Sequence, residues 1–217
     1  MNYAIVSKGE SRSFPAGDDF LRNAAEPTEA EILVFLGGSI VEADNNKTAI
    51  LVELGSESLG AHTGESDGEE GSNVLGFARY RNGDDAPSQL VELVRQKNTL
   101  PQALAAAKAL FESTGLTVAV CSDQPGRIID RLVRPKYNAA LRFLDEGLAT
   151  QEAIDLTCRL GLGYADGPIE RTLRGGLAHH HDVTRALFET FGTPAYAPAR
   201  RAVVAAQIRD RNQGDAS

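Results

Sequence analysis

Hydrophobic spacing changes period once along this chain, close to Pro125, and that change constrains the fold more than any other feature. Before it, short apolar runs are separated by turn residues; after it, apolar residues recur at helical spacing. A β-rich half followed by an all-helical half implies two packed subdomains. The boundary is placed near Asp123–Pro125, giving spans of 1–124 and 125–217. With 217 residues, 42% of them hydrophobic, the chain can build one large core or two small ones.

In the first half, the run Ile32–Leu36 ends at Gly37-Gly38, the pattern of a buried strand and its turn. Thr48–Leu54, Val74–Ala78, Leu90–Val94 and Leu116–Cys121 read as further strands. Pro101 starts a helix through Ser113, with Thr99 as N-cap and Gly115 as stop. Residues 55–72 read as a solvated loop; their charge run 65–70 lacks the spacing of a calcium loop. In the second half, Ile128, Ile129, Leu132, Val133, Ala140, Leu141 and Leu144 mark one apolar face of a long helix that Gly147 ends. Pro135 is expected to kink it. Thr150 caps a helix over Gln151–Leu160, which Gly161 and Gly163 terminate. Pro168 opens the next helix, Val183–Phe191 forms another, Ala199–Arg209 the last, and the final residues are expected to fray.

The net charge of −8 is spread thinly, with no Lys/Arg cluster of the kind that marks a nucleic-acid footprint. No apolar run approaches the roughly 20 residues of a membrane span. The start of the chain lacks the basic-then-apolar shape of a signal peptide. A soluble, cytoplasmic protein is therefore expected, without nucleic-acid or membrane partners. Cys121 and Cys158 have no metal spacing and are expected to be reduced core residues. His179, His180 and His181 are consecutive, so on a helix they point about 100° apart and cannot share one ion well. No metal site is expected, and the histidines are read as a polar loop or helix start.

Five motifs follow one another after residue 124: Pro125-Gly126 opening a long helix, the acidic end Asp145-Glu146-Gly147, Ile154-Asp155, the turn Leu160-Gly161-Leu162-Gly163-Tyr164, and Gly167-Pro168-Ile169-Glu170. This succession resembles the helical C-terminal domain of the 3-hydroxyacyl-CoA dehydrogenases. Leu75-Gly76-Phe77-Ala78 extends the resemblance to the reduced second half of the two-module members, over about residues 73–205. The fold class implied is α/β plus all-α: a truncated Rossmann-like sheet domain followed by a helical domain of that family's type.

In active members of the family, the segment matching residues 73–99 supplies a histidine base and a carboxylate that orients it. The 3-hydroxyl proton must leave as hydride moves to nicotinamide, and an imidazole of near-neutral pKa can accept it. Here the carboxylate is kept in Leu90-Val91-Glu92, but the histidine position holds Ala78. The family's substrate-contacting serine loop reads Ala61-His62-Thr63-Gly64, and its helix asparagine is Asp130. Glu92, Asp130 and Arg127 are the candidate substrate-binding residues. Each has a plain structural alternative: Glu92 paired to a neighbour, Asp130 bridged to Arg134, and Arg127 with Arg131 and Arg134 solvating a helix face.

NAD is the cofactor the resemblance implies, yet no Gly-x-Gly-x-x-Gly occurs anywhere in the chain. The turn Gly37-Gly38-Ser39 has the wrong spacing, so no cofactor is expected. Two function classes remain. One is a non-catalytic module that forms a homodimer through its helical domain or docks on a full-length dehydrogenase, with acyl-CoA association in fatty-acid or aromatic catabolism. The other is an oxidoreductase or acyl-CoA-binding protein acting on 3-hydroxyacyl-CoA thioesters with NAD.

Overall fold

The computed structural model describes residues 2–38, 41, 44–65 and 72–214. The charge run after Glu65, Ser39 and the last three residues lie outside that set. The described chain divides into two compact units, Met1–Arg81 with Ala86–Ile128, and Asn82–Asp85 with Ile129–Ser217.

The first unit is built on a six-stranded sheet of β1 (Tyr3–Ser7), β2 (Ile32–Leu36), β3 (Ala49–Glu53), β4 (Val74–Arg79), β5 (Leu90–Arg95) and β6 (Thr117–Ser122). The strands lie side by side in sequence order. β1 to β4 are mutually parallel, β5 runs antiparallel to β4, and β6 is parallel to β5. Strands covered on both faces need apolar residues at every position, which explains the unbroken runs of β2 and β3. β6 is an edge strand and leaves Val120 exposed.

One face of the sheet carries the larger core. Phe14, Phe20 and Phe111 stack there, with Phe14 and Phe20 centroids 4.0 Å apart and Phe77 5.2 Å from Phe111. Phe20 comes from the one-turn helix α1 (Asp19–Arg22), and Phe111 from a long helix over Pro101–Ser113. The other face is closed by Leu54 and Leu59, which pack with Phe35, Ile50, Val52, Val74 and Val94. Leu59 immediately precedes a second one-turn helix, α2 (Gly60–Thr63), inside the segment expected to be a solvated loop. The long helix, α3, has the expected bounds, but its cap differs. Leu100 is the N-cap and makes no side-chain bond, while the Thr99 hydroxyl accepts from Gln96 N–H instead. β1 and α1 were not legible because the first 30 residues hold only one short apolar run.

The second unit contains α4 (Ile129–Asp145), α5 (Gln151–Leu162), α6 (Pro168–Gly175), α7 (Leu177–Phe191), a short 3-10 turn over Pro194–Tyr196, and α8 (Arg200–Gly214). α4 starts four residues later than expected, and its predicted apolar face is buried only in its second half, at Ala140 and Leu141 with Leu144 packed beside them. Leu132 is 69% exposed and Ile128 is also exposed, while Arg134, Tyr137, Asn138, Ala140 and Leu141 point inward. α5 runs through Gly161 and stops at Gly163, whose φ of 71° suits a glycine C-cap. Thr150 caps it as expected, accepting from Ala153 N–H at 3.3 Å.

The Ile-Asp and Gly-Pro motifs prove to be one structural device. Asp155, buried on α5, accepts from Ile169 N–H at 2.9 Å and Glu170 N–H at 3.0 Å, so it caps α6 from a neighbouring helix. A cap of this kind contributes about 0.5–2 kcal/mol. Gly167 must be glycine because a Cβ there would lie 2.1 Å from the Asp155 carboxyl carbon. Among the described residues no helix is long and apolar enough to cross a membrane.

Candidate functional site

The antiparallel register sets Ala78 on β4 directly opposite Glu92 on β5. Both lie on the Leu54 side of the sheet, and both are buried, at 6% and 2% exposure. Both carboxylate oxygens of Glu92 are engaged within the sheet unit. Oε1 accepts from Ile128 N–H at 2.8 Å, and Oε2 lies 3.4 Å from Arg127 Nε. Arg127 Nη1 donates to Gly55 O at 2.8 Å, which ties the guanidinium to the segment after β3. Arg127 thus precedes α4 rather than lying on it, and at 7% exposure it does not solvate a helix face. It is also the non-glycine residue with a positive φ, 48°, among those described. A left-handed backbone costs an L-residue roughly 1–2 kcal/mol, so packing and the ion pair must hold it there.

Cys121 on β6 sits beside this pair. Burial, and secondarily the Glu92 charge, pushes its thiol up to about 11, which makes it a poor nucleophile at neutral pH. Both cysteines are free thiols of intermediate burial; Cys121 packs against the smaller core of the sheet, while Cys158 lies outside the core clusters.

His62 falls on α2, with Nε2 3.2 Å from Glu57 Oε1. Burial raises the Glu57 carboxyl, but the Gly55 and Glu57 N–H groups and His62 outweigh it and hold the group below its ordinary value. Thr63, one residue on, accepts from Gln96 Nε2, which also donates to Asp123. Asp123 in turn accepts from Leu59 and Gly60 N–H, so the loop aligned with the family's serine segment is tied to the end of β6.

Asp130 belongs to the second unit and bridges Arg134 at 2.8 Å, as the structural alternative proposed. From there a buried chain of donors runs in one direction. Arg134 Nη1 lies 3.2 Å from His180 Nδ1, and His180 Nε2 lies 3.0 Å from Asn138 Oδ1. Asn138 Nδ2 donates to Thr184 Oγ1 at 2.8 Å, and Thr184 donates to Tyr196 O at 2.7 Å. The network assigns the neutral imidazole with its proton on Nε2, since Nδ1 faces a donor that never gives up its charge. Burial, then Arg134 and the flanking histidines, lower the His180 pKa to about 3. The three histidines sit inside α7, and only His180 is buried. Among the described residues no cluster of three or more His, Cys, Asp or Glu side chains is placed to hold a metal.

The C-terminal edge of β1 to β3 is where a parallel sheet would receive a dinucleotide. Open sheets do so at a crevice where strand order reverses, and here the order β1 to β6 never reverses. Among the described residues, two amides and one hydroxyl at this edge are already engaged: Glu53 Oε1 accepts from Ser13 N–H at 2.7 Å and Ser11 Oγ at 2.8 Å, and Oε2 from Gly37 N–H at 3.2 Å. A pyrophosphate would meet a carboxylate in place of free donors. The residues present do not fit the group.

A Rossmann-like sheet unit joined to a helical unit is the architecture of the hydroxyacyl dehydrogenase class. Residues 126–216 match the family model described as 3-hydroxyacyl-CoA dehydrogenase, C-terminal domain, so that stretch is similar to the C-terminal domain of that family. It is 29% identical over 190 residues to the 3-hydroxyadipyl-CoA dehydrogenase of Escherichia coli, covering 86% of this chain and 38% of that one. It is 30% identical over 129 residues to a probable 3-hydroxybutyryl-CoA dehydrogenase of Deinococcus radiodurans, covering 58% and 46%. Among solved structures, an (S)-3-hydroxybutyryl-CoA dehydrogenase from Ralstonia eutropha aligns with a TM-score of 0.66 and 25% identity, over 82% of this chain and 66% of that one. The chain spans less than half the length of these two curated relatives.

Proposed function

We propose that the chain is a non-catalytic member of the family, an assembly module that pairs with a second copy or with a full-length dehydrogenase in fatty-acid or aromatic catabolism. The observation that carries this reading is the state of Glu92. The carboxylate that would orient a base faces Ala78 across the ladder and is held by Arg127 and Ile128 N–H. No proton acceptor stands where the 3-hydroxyl chemistry needs one. Support for assembly comes from the helical unit, whose apolar cores are small while Leu156 and Leu160, one turn apart on α5, are 50% and 80% exposed and Leu148, just before that helix, is 68% exposed. Apolar surface gathered on one helix and its approach marks an interaction face more often than chance exposure does. In the alternative reading, the protein oxidises 3-hydroxyacyl-CoA thioesters with NAD.

Sedimentation velocity at micromolar concentration tests the module. A dimer is expected for the wild type, and a monomer for the Leu156→Glu/Leu160→Glu variant. A wild-type monomer that also gives no heat with acetoacetyl-CoA would remove both the self-association and the acyl-CoA parts of the reading.

A further inference from the structure

Glu53 ends β3, and its carboxylate joins three separate segments of the first unit. Ser11 and Ser13 follow β1, and Gly37 follows β2. These loops touch directly: a Cβ on Gly37, whose φ is 60°, would lie 2.4 Å from Gly9 O. Each donor is also positioned by something other than Glu53. Ser11 Oγ accepts from Phe14 N–H at 2.9 Å, which turns its own hydrogen toward the carboxylate. Ser13 Oγ accepts from Arg79 N–H, and Ser13 O accepts from Arg79 Nη1 at 2.8 Å. Ser11, Ser13 and Arg79 are all buried. Converging backbone N–H groups of this kind form an anion-binding concavity.

We propose that Glu53 is an internal anion. Its carboxylate occupies, from within the chain, a site built for a small monoanionic oxyanion, and so closes this sheet edge to phosphate-bearing ligands. A cavity of about 300 Å³ adjoins the carboxylate and is lined also by Glu10, Arg12, Gly38, Glu57 and His62. That volume admits a small guest once the side chain is cut back. The two further carboxylates, set against one arginine, favour a singly charged carboxylate such as acetate over a pyrophosphate. The inference stands on the sheet unit alone and does not depend on whether the protein dimerises.

Chemical rescue tests it. Glu53→Ala is expected to melt well below wild type in sodium chloride. Sodium acetate at the same ionic strength should raise its melting temperature saturably and leave wild type unmoved. Equal shifts of Glu53→Ala in acetate and chloride would overturn the proposal. Should Glu53→Ala fail to fold in either salt, Glu53→Gln decides. At least one of the Ser13 and Gly37 amides in that variant should exchange at least about tenfold faster than in wild type, since a carboxamide keeps one acceptor oxygen and turns a donor toward the other amide. Unchanged exchange at both amides would contradict the internal-anion role.

Discussion

Arg127→Ala is expected to destabilise the sheet unit by about 3–5 kcal/mol, because it strands the Glu92 charge in a buried position. Glu92 is 2% exposed and Arg127 7%, so neither partner can turn to water without opening the second face of the sheet. The pair is not itself a large source of stability. Replacing both partners with apolar residues of similar volume, as in Glu92→Leu/Arg127→Met, is expected to recover most of the loss, since such swaps are neutral or stabilising by about 1–4 kcal/mol. The backbone adds a separate signature. Arg127 holds φ at 48°, so Arg127→Gly should be less harmful than Arg127→Ala by about 1 kcal/mol. Urea unfolding of the four proteins checks the set. Equal stability of Arg127→Ala and wild type would mean the pair is solvated and the site open.

Acid is expected to weaken the helical unit well above the usual carboxylate range. His180 has its pKa lowered from 6.5 to about 3, so between those values the unfolded chain binds a proton that the folded chain does not. Stability therefore rises with pH across this window; it is fully present above pH 6.5 and is lost as pH falls toward 3. The slope is about 1.4 kcal/mol per pH unit for one such group, or about 2 kcal/mol between pH 6.5 and 5. Protonation would set an Nδ1–H against Arg134 and break the donor chain that ends at Tyr196 O. Helical circular dichroism during urea unfolding at the two pH values measures the slope. His180→Gln should flatten it, at the cost of lower stability at neutral pH; an unchanged slope would move the effect to other groups.

Five of the six strands and α3 were legible from apolar runs and turn residues, because a strand packed into a sheet core shows its burial in composition. β1 escaped notice although it is as long as β2 and β3, and with it went Phe14 and Phe20, which complete the larger core. In the helical half, the period was read correctly but the inward face of α4 only in part, at Ala140 and Leu141. A search for apolar periodicity passes over Arg134, Asn138, His180 and Thr184, which are buried only because they satisfy one another. The same reasoning missed Glu53, whose partners are backbone amides of residues distant in sequence.

The candidate site was legible in part. Ala78 and Glu92 were singled out by position in the sequence, but their pairing across the ladder needed the register. Arg127 as the partner of Glu92 had no local signal, since the two are 35 residues apart and the helix begins after Arg127. Asp155 shows the reverse case. Its motif was plain in the sequence, while its capping of α6 emerged only from the fold.

The most direct measurement is turnover: purified protein with NAD and 3-hydroxybutyryl-CoA, followed by the absorbance of NADH. On the proposed non-catalytic reading, no NADH should form above a protein-free control, and Glu92→Gln should behave as wild type. NADH formation that Glu92→Gln abolishes would contradict the account and restore Glu92 to a catalytic pair.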